Sequence, residues 1–305
     1  MFSKVIVGFD GSEQARDALS LAAALTARDG KLVVCCVHHF KTLSAHLDPA
    51  EPDLDHAAAE RCAEEALGLL DSPPAISSML VASASAAGAL QRTAERQHAD
   101  LLVLGSSHRG AVGRVLVGSV TEETLQGAPC PVAVCPVGFH RQPAGAHFAR
   151  IAVGYDVAAP AQNALEAGAA LAAQTGSELR VVAVADTAAG LAGGASLAMS
   201  YPATIKARLH AAEEGVAQAL AGLGESISAS SEVRDGQAAE KLLEVTHSVD
   251  LLVLGSRGRG PVRRMVLGSV CDAVVRASAC AVLVIPPAVE AEGVAQRESD
   301  VLAGG

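Results

Sequence analysis

Apolar and polar positions follow two rhythms along the first half of the chain. Short runs that are almost wholly apolar fall at Lys4–Phe9, Lys31–Val37, Leu101–Leu104 and Val132–Cys135, with a weaker one at Ser77–Ala82. Their length and composition predict strands buried on both faces. Between them apolar residues recur every three or four positions. Ser12–Arg28 carries Ala15, Leu19, Ala22, Ala23 and Leu25 in that spacing, and Asp55–Leu70 keeps Glu and Arg to one side. Ala86–Gln97 and the shorter Gly118–Gly127 repeat the helical period. The order is therefore β-α-β-α-β-α-β-α-β. Strands alternating with helices predict a parallel sheet covered on both faces, and right-handed crossovers make it doubly wound. Ligands of such sheets lie beyond the carboxyl ends of the strands, where the strand order reverses.

The pattern occurs twice. Asp100-Leu-Leu-Val-Leu-Gly-Ser106 returns letter for letter as Asp250-Leu-Leu-Val-Leu-Gly-Ser256, an offset of 150. From there to Val120 and Val270, fourteen of the 21 aligned positions are identical. Val5-Ile-Val-Gly-Phe-Asp10 parallels Ile151-Ala-Val-Gly-Tyr-Asp156 at an offset of 146, so each copy differs by a few residues in its middle. The expected organisation is one α/β domain at 1–137, a linker at 138–149, a second α/β domain at 150–287 and a disordered tail at 288–305. The linker is expected from its Pro and Gly, and the tail from its acidic, unpatterned composition.

Composition narrows the picture. A chain of 305 residues suits two domains. Half of it is hydrophobic but only 2% is aromatic, with no Trp, so Val, Leu, Ile and Ala must fill the cores. The net charge of −10 argues against free nucleic acid as a partner, because phosphate backbones require a basic face. One local anion site stays compatible with it. The seven cysteines show neither C-x-x-C nor zinc spacing and read as small buried hydrophobes in a reducing compartment. Met1–Val7 lacks the layout of a signal peptide, and no apolar run reaches the roughly 20 residues of a membrane helix. A cytoplasmic protein without membrane contact is expected.

The strongest chemical signal follows the fourth strand of the second copy: Gly255-Ser-Arg-Gly258-Arg-Gly260, then Gly268-Ser269-Val270. Glycines let backbone amides approach a phosphate chain, and a helix starting at Gly268-Ser269 presents an N-terminus that favours anions. Ser256 and Ser269 add hydroxyls, and Arg257, Arg259, Arg263 and Arg264 add positive charge. A plain glycine turn with solvated arginines would give the same letters once. Its recurrence as Gly105-Ser106-Ser107-His108-Arg109-Gly110 and Gly118-Ser119-Val120 argues for a site. His108 stands where the second copy has Gly258. Its imidazole either donates to a phosphate, crowds the loop, or faces water while Gly110 takes over. Asp10 and Asp156 end the first strands, where a carboxylate can hold Mg²⁺ or a ribose hydroxyl, or cap the following helix. His38, His39, His46 and His56 match no standard metal spacing and read as loop histidines. Neither G-x-x-x-x-G-K-[ST] nor G-x-S-x-G occurs, so a P-loop NTPase and an α/β hydrolase are unsupported.

The G-x2-G-x9-G-[ST] pattern after the fourth strand, the Asp after the first, and the V-D-L-L-V-L-G lead-in resemble the universal stress proteins, once per half, as in tandem members. The resemblance implies two five-stranded parallel sheets of the Rossmann-like, adenine nucleotide alpha hydrolase-like kind. It further implies ATP with Mg²⁺. The phosphates would lie at Gly105, Gly118 and Ser119, and at Gly255, Gly258, Gly268 and Ser269, with Ser106, His108, Arg109, Val120, Ser256, Arg259 and Val270 as further cofactor-binding residues. Adenine would lie near Val37 and Val184, and Asp10 and Asp156 would serve as metal or ribose residues. It implies pairing of the last strands, Val132–Cys135 with Val282–Ile285, as an internal pseudo-dimer, with a homodimer as the other way such domains pair. Departures are His108, the changed loop after Asp156, and Ala86 where the second copy has Gly236. The intact glycine pattern makes the second copy the expected tighter phosphate site. A regulatory ATP-binding protein with at most weak hydrolysis is expected. The alternative is a nucleotide-free partner-binding scaffold of the same fold. An ATP pyrophosphatase is disfavoured, since Asp10-Gly-Ser-Glu replaces the S-G-G-x-D-S loop it requires.

Overall fold

The computed structural model describes residues 1–38, 54–70, 74–107, 115, 117–141, 148–185, 201–224, 227–258 and 265–287. The tail from 288, residues 142–147 of the linker, and His39, His46, His108, Arg109, Gly110, Arg259, Gly260, Arg263 and Arg264 lie outside them.

The first copy runs β1 (Phe2–Gly8), α1 (Glu13–Leu25), β2 (Thr26–His38), α2 (Leu54–Gly68), β3 (Ala75–Ala82), α3 (Ala86–Arg96), β4 (Leu101–Gly105), α4 (Ser119–Leu125) and β5 (Val132–Cys135). The second runs β6 (Arg150–Tyr155), α5 (Ala159–Thr175), β7 (Glu178–Ala185), α6 (Tyr201–Ala221), β8 (Ala229–Asp235), α7 (Ala238–Val245), β9 (Leu251–Gly255), β10 (Arg257–Gly258), β11 (Met265–Val266), α8 (Ser269–Ala277) and β12 (Ala281–Ile285). Helix α1 stops short of the expected Arg28. Thr26 closes it by donating Oγ1–H to the Ala22 carbonyl at 2.6 Å, and the ladder to β1 then skips from Thr26 to Lys31. Thr26–Gly30 is thus a bulge, and the regular strand starts at Lys31, where the apolar run begins.

Within each copy every described strand pair of the main sheet is parallel, in the order β3-β2-β1-β4-β5 and its counterpart β8-β7-β6-β9-β12, and the short β10–β11 pair of the second copy stands apart as an antiparallel ribbon. The halves join edge to edge. β5 pairs antiparallel with β12, Ala133 opposite Leu283, which makes one ten-stranded sheet with an internal pseudo-twofold axis. Joining the last strands removes two exposed edges, which otherwise template aggregation. Strand residues alternate between two cores. Val5, Val7, Leu101 and Val103 face α1 and α2, and Ile6, Leu102, Leu104 and Val132 face α3 and α4. Both cores continue through the second copy, so the two domains bury their apolar faces as one body.

Two repeated acids are structural. Asp100 accepts the Lys4 amide at 2.9 Å and Asp250 the Arg150 amide at 2.8 Å, each fixing the start of its neighbouring strand. That explains why the lead-in to β4 and β9 begins with Asp. After β5 the chain docks rather than hangs: Phe139–Arg141 forms a 3-10 turn with Phe139 buried. The buried Asp17 carboxylate accepts the Gly138 amide at 2.7 Å and the His140 amide at 2.8 Å, with His140 Nδ1 at 2.6 Å.

Candidate functional site

The strand order reverses between β1 and β4. The chain leaves β1 towards β2 and β3 on one side, and leaves β4 towards β5 on the other. At the carboxyl ends of these two strands lies a cavity of about 310 Å³. Seven of the residues expected from the first copy line it: Asp10, Val37, Gly105, Ser106, Gly118, Ser119 and Val120. The structure adds Ser12, Gln14, Cys35, Leu90 and Thr121. His108 and Arg109 fall outside the described residues.

The floor is set by α1. Asp10 does not cap the helix itself. Its Oδ1 accepts the Ser12 hydroxyl at 2.6 Å and the Ser12 amide at 3.1 Å, and Ser12 Oγ accepts the Ala15 amide at 3.1 Å as N-cap. Gly11 makes this turn at φ +81°, a left-handed conformation that glycine adopts without strain. The carboxylate is therefore oriented at the exposed rim of the cavity by the cap it supports.

The far wall is α4. Its N-cap is Gly118, which offers no side chain to the first amides of the helix. Thr121 anchors this end to β4, donating Oγ1–H to the Gly105 carbonyl at 3.0 Å. Gln91 holds the other end through the carbonyls of Glu123, Thr124 and Gln126. Thr121 carried no signal in the repeat, because its counterpart is Cys271. Its position one helical step beyond Gly118-Ser119 is what could have marked it.

The glycines divide by role. A Cβ on Gly105 would sit 2.4 Å from the Gln14 carbonyl oxygen, and one on Gly255 would sit 2.1 Å from that of Pro160. These two glycines admit the start of α1 and α5 against the strand end, so packing explains them. Gly118 has an ordinary φ of −85°, and a Cβ there would meet nothing nearer than 3.7 Å. A side chain at 118 fits the fold but would fill the space before the helix terminus.

Among the described residues two buried hydroxyls lack hydrogen-bond partners. Ser106 is 8% exposed and Ser256 is fully buried, and neither Oγ makes a hydrogen bond. A native protein rarely leaves such groups unpaired without a functional reason. They occupy the same place in the two copies.

The second copy departs from the first at the turn after β6. Asp156 Oδ1 accepts the Ala158 amide at 3.2 Å, and Ala158 is the N-cap of α5, which therefore has no side-chain cap. Val157 replaces Gly11 yet keeps φ at +66°, which is strained for a β-branched residue. Val184 lies half-buried near the end of β7. The glycine segment opens as an unforeseen ribbon, with Gly258 paired to Met265 and Arg257 to Val266. Gly268 then caps α8 at φ −76°, with Ser269 and Val270 in its first turn. The sequence favoured this copy for its complete glycines, whereas the described cavity, the capped turn and the relaxed Gly11 belong to the first. One sequence alignment also shifts. Leu90 covers Gly8 and Leu242 covers Gly154, so the counterpart of Gly236 is Ala84, not Ala86.

The remaining candidates carry little chemistry. His56 Nδ1 is 3.3 Å from His38 Nε2 and its Nε2 is 3.3 Å from Glu60. Among the described residues no three His, Cys, Asp or Glu side chains are grouped to hold a metal. The Cys35 thiol on the cavity wall is pushed up to about 11 by burial, so it stays protonated at neutral pH. No described helix is long and apolar enough to cross a membrane.

Comparison with known proteins adds context to this geometry. The model of the universal stress protein family matches residues 1–136 and again 147–286. A universal stress protein of Mycobacterium tuberculosis is 31% identical over 296 residues, 92% of this chain and 96% of its own. One of Thermus aquaticus is 32% identical over 139 residues, spanning 43% of this chain and 97% of its own. Among solved structures, a universal stress protein of Archaeoglobus fulgidus superposes with a TM-score of 0.63 at 23% identity, over 94% of this chain and 99% of that one. A structure from Pseudomonas aeruginosa gives 0.61 at 15% identity, over 98% and 97%. At these identities the solved structures speak for the fold.

Proposed function

We propose, from the premise that this chain belongs to the universal stress protein family, that it is a cytoplasmic regulatory protein that binds ATP with Mg²⁺. The observation that carries the reading is the unpartnered Ser106 hydroxyl on the wall of a cavity whose other side is an uncapped helix N-terminus. A triphosphate supplies what both lack. Its oxygens would accept from Ser106, from Ser119 and from the first amides of α4, where the helix dipole favours negative charge. The gap before Gly118 is the space such a group needs. The base would lie on the apolar side, against Val37 and Leu90, and Asp10 at the rim would take Mg²⁺ or a ribose hydroxyl. Mg²⁺, when bound, would neutralise phosphate charge. In the second copy, Asp156, Val184, Ser256, Gly258, Gly268, Ser269 and Val270 would form the corresponding site.

Binding rather than turnover is the role these residues suit. Among the described lining residues Asp10 is the one carboxylate, and the Ser12 cap already engages it. Hydrolysis at this site would therefore be slow.

Mass spectrometry of small molecules released from purified, denatured protein tests the reading, together with thermal unfolding in ATP–Mg²⁺. ATP recovered from the protein, and a stabilisation of about 2.7 kcal/mol at a hundredfold excess over Kd, are expected. No released nucleotide and an unchanged Tm would instead favour the nucleotide-free scaffold.

A further inference from the structure

The residues three before Gly118 and Gly268 are held by the opposite copy. Val115 lies three residues before Gly118, and its amide donates to the Ser278 carbonyl at 2.7 Å. Met265 is its counterpart, three residues before Gly268. Its amide donates to the Ala128 carbonyl at 3.2 Å, and its own carbonyl accepts the Gly127 amide at 2.8 Å. Ala128 and Ser278 are themselves counterparts at the offset of 150, so the two copies exchange the same contact across the pseudo-twofold axis. Val115 and Met265 are both fully buried. The connection continues inward. Met265 pairs with Gly258, within the glycine segment of the second copy. Ala128 closely follows α4, whose first turn forms the wall of the first cavity. Arg276 of α8 adds an ion pair to Glu122 of α4 at 2.6 Å.

We propose that the two sites form one coupled unit, in which ligand at either raises the affinity of the other, with Val115 and Met265 as the positioning residues. The inference rests on the nucleotide-binding reading. A ligand that fixes the return limb of one loop also fixes the segment on which the other copy's helix ends. The second ligand then meets a segment already held in place, so its own ordering cost is smaller. Linkage makes the effect reciprocal.

Calorimetric titration of the full chain with ATP–Mg²⁺ tests this, using wild type and Gly118→Val. The substitution suits the φ of −85° and the open space at 118, and blocks the first site alone. The remaining site is expected to bind about fivefold or more weakly than it does in wild type. Gly268→Val, at φ −76°, should weaken the first site by the same factor, and carries the measurement if Gly118→Val does not fold. Hydrogen exchange gives an independent reading. In Gly268→Val, ATP can occupy only the first cavity, yet exchange at the Met265 and Gly127 amides should slow. Equal affinities in variant and wild type, or unchanged exchange at those amides, would overturn the coupling and leave nucleotide binding standing. One ATP per wild-type chain would overturn it as well. A wild type that binds no ATP would take down both readings.

Discussion

The Ser106 hydroxyl separates a fold requirement from a ligand requirement within one residue. Buried with no protein partner among the described residues, it costs roughly 1–3 kcal/mol of desolvation that no protein hydrogen bond offsets. Ser106→Ala should therefore leave the ligand-free Tm unchanged or raised, while ATP binds roughly tenfold more weakly for want of one hydrogen bond to a charged group. A fall in the ligand-free Tm would mean that the hydroxyl has a partner in the protein. The glycines split in the same way. Gly105→Ala drives a methyl group into the Gln14 backbone, 2.4 Å away, and should cost about 1–3 kcal/mol or more in denaturant titrations. Gly118→Ala has room and an ordinary φ, and should stay within about 0.5 kcal/mol of wild type. The sequence showed that these glycines mattered and placed all of them at phosphate. It could not separate the two roles, because a close helix crossing and an open cradle call for the same letter.

At the level of elements, the turn after the first strand shows how the copies have drifted together. In the first copy Gly11 turns at φ +81°, and a Cβ there would meet Cys62 Sγ of α2 at 3.0 Å. In the second copy Val157 holds the same turn, and it is α6 that has glycine: a Cβ on Gly215 would meet Val157 Cγ2 at 2.5 Å. Bulk has changed sides. The two positions should therefore be energetically coupled. In wild type the helix preference of Gly215→Ala, about 1 kcal/mol, is opposed by the clash with Val157. In a Val157→Gly background the clash is gone, so Gly215→Ala should stabilise. The double-mutant cycle should show about 1 kcal/mol of interaction, and additive effects would refute the contact. The loss of glycine after Asp156 was legible in the sequence. Its compensation was not, because the helices concerned lie in the part of the repeat where the offset changes and only their packing aligns them. The β10–β11 ribbon escaped for a related reason: two residues per strand leave no periodicity to read.

Across the whole molecule, the repeat announced two α/β halves, and the family resemblance implied that their last strands pair. What no linear pattern could supply is the continuity of both cores through the β5–β12 seam, because strands buried on both faces read as apolar whichever neighbour covers them. That continuity places thiols at matched points on either side of the seam. Cys130 precedes β5 and Cys280 precedes β12, and burial pushes both up to about 12. Cys36 and Cys271 are raised to about 12 as well, and Cys35 to about 11. Each folded value lies above the ordinary thiol range near 8.5–9. The protonated form is therefore favoured by folding, and its contribution is fully present below about pH 8.5. Above that pH the unfolded chain releases protons that the folded chain keeps, so stability falls as pH rises towards 11–12. Each thiol adds a slope of up to about 1.4 kcal/mol per pH unit. Thermal unfolding between pH 8 and 10.5 should show a steep decline in Tm. Replacing Cys130 and Cys280 together with Ala should lower Tm at pH 7.5, through the lost packing, yet flatten the alkaline decline. A decline of unchanged steepness would show that these thiols titrate alike in the folded and unfolded chain, and that the seam admits water the packing excludes.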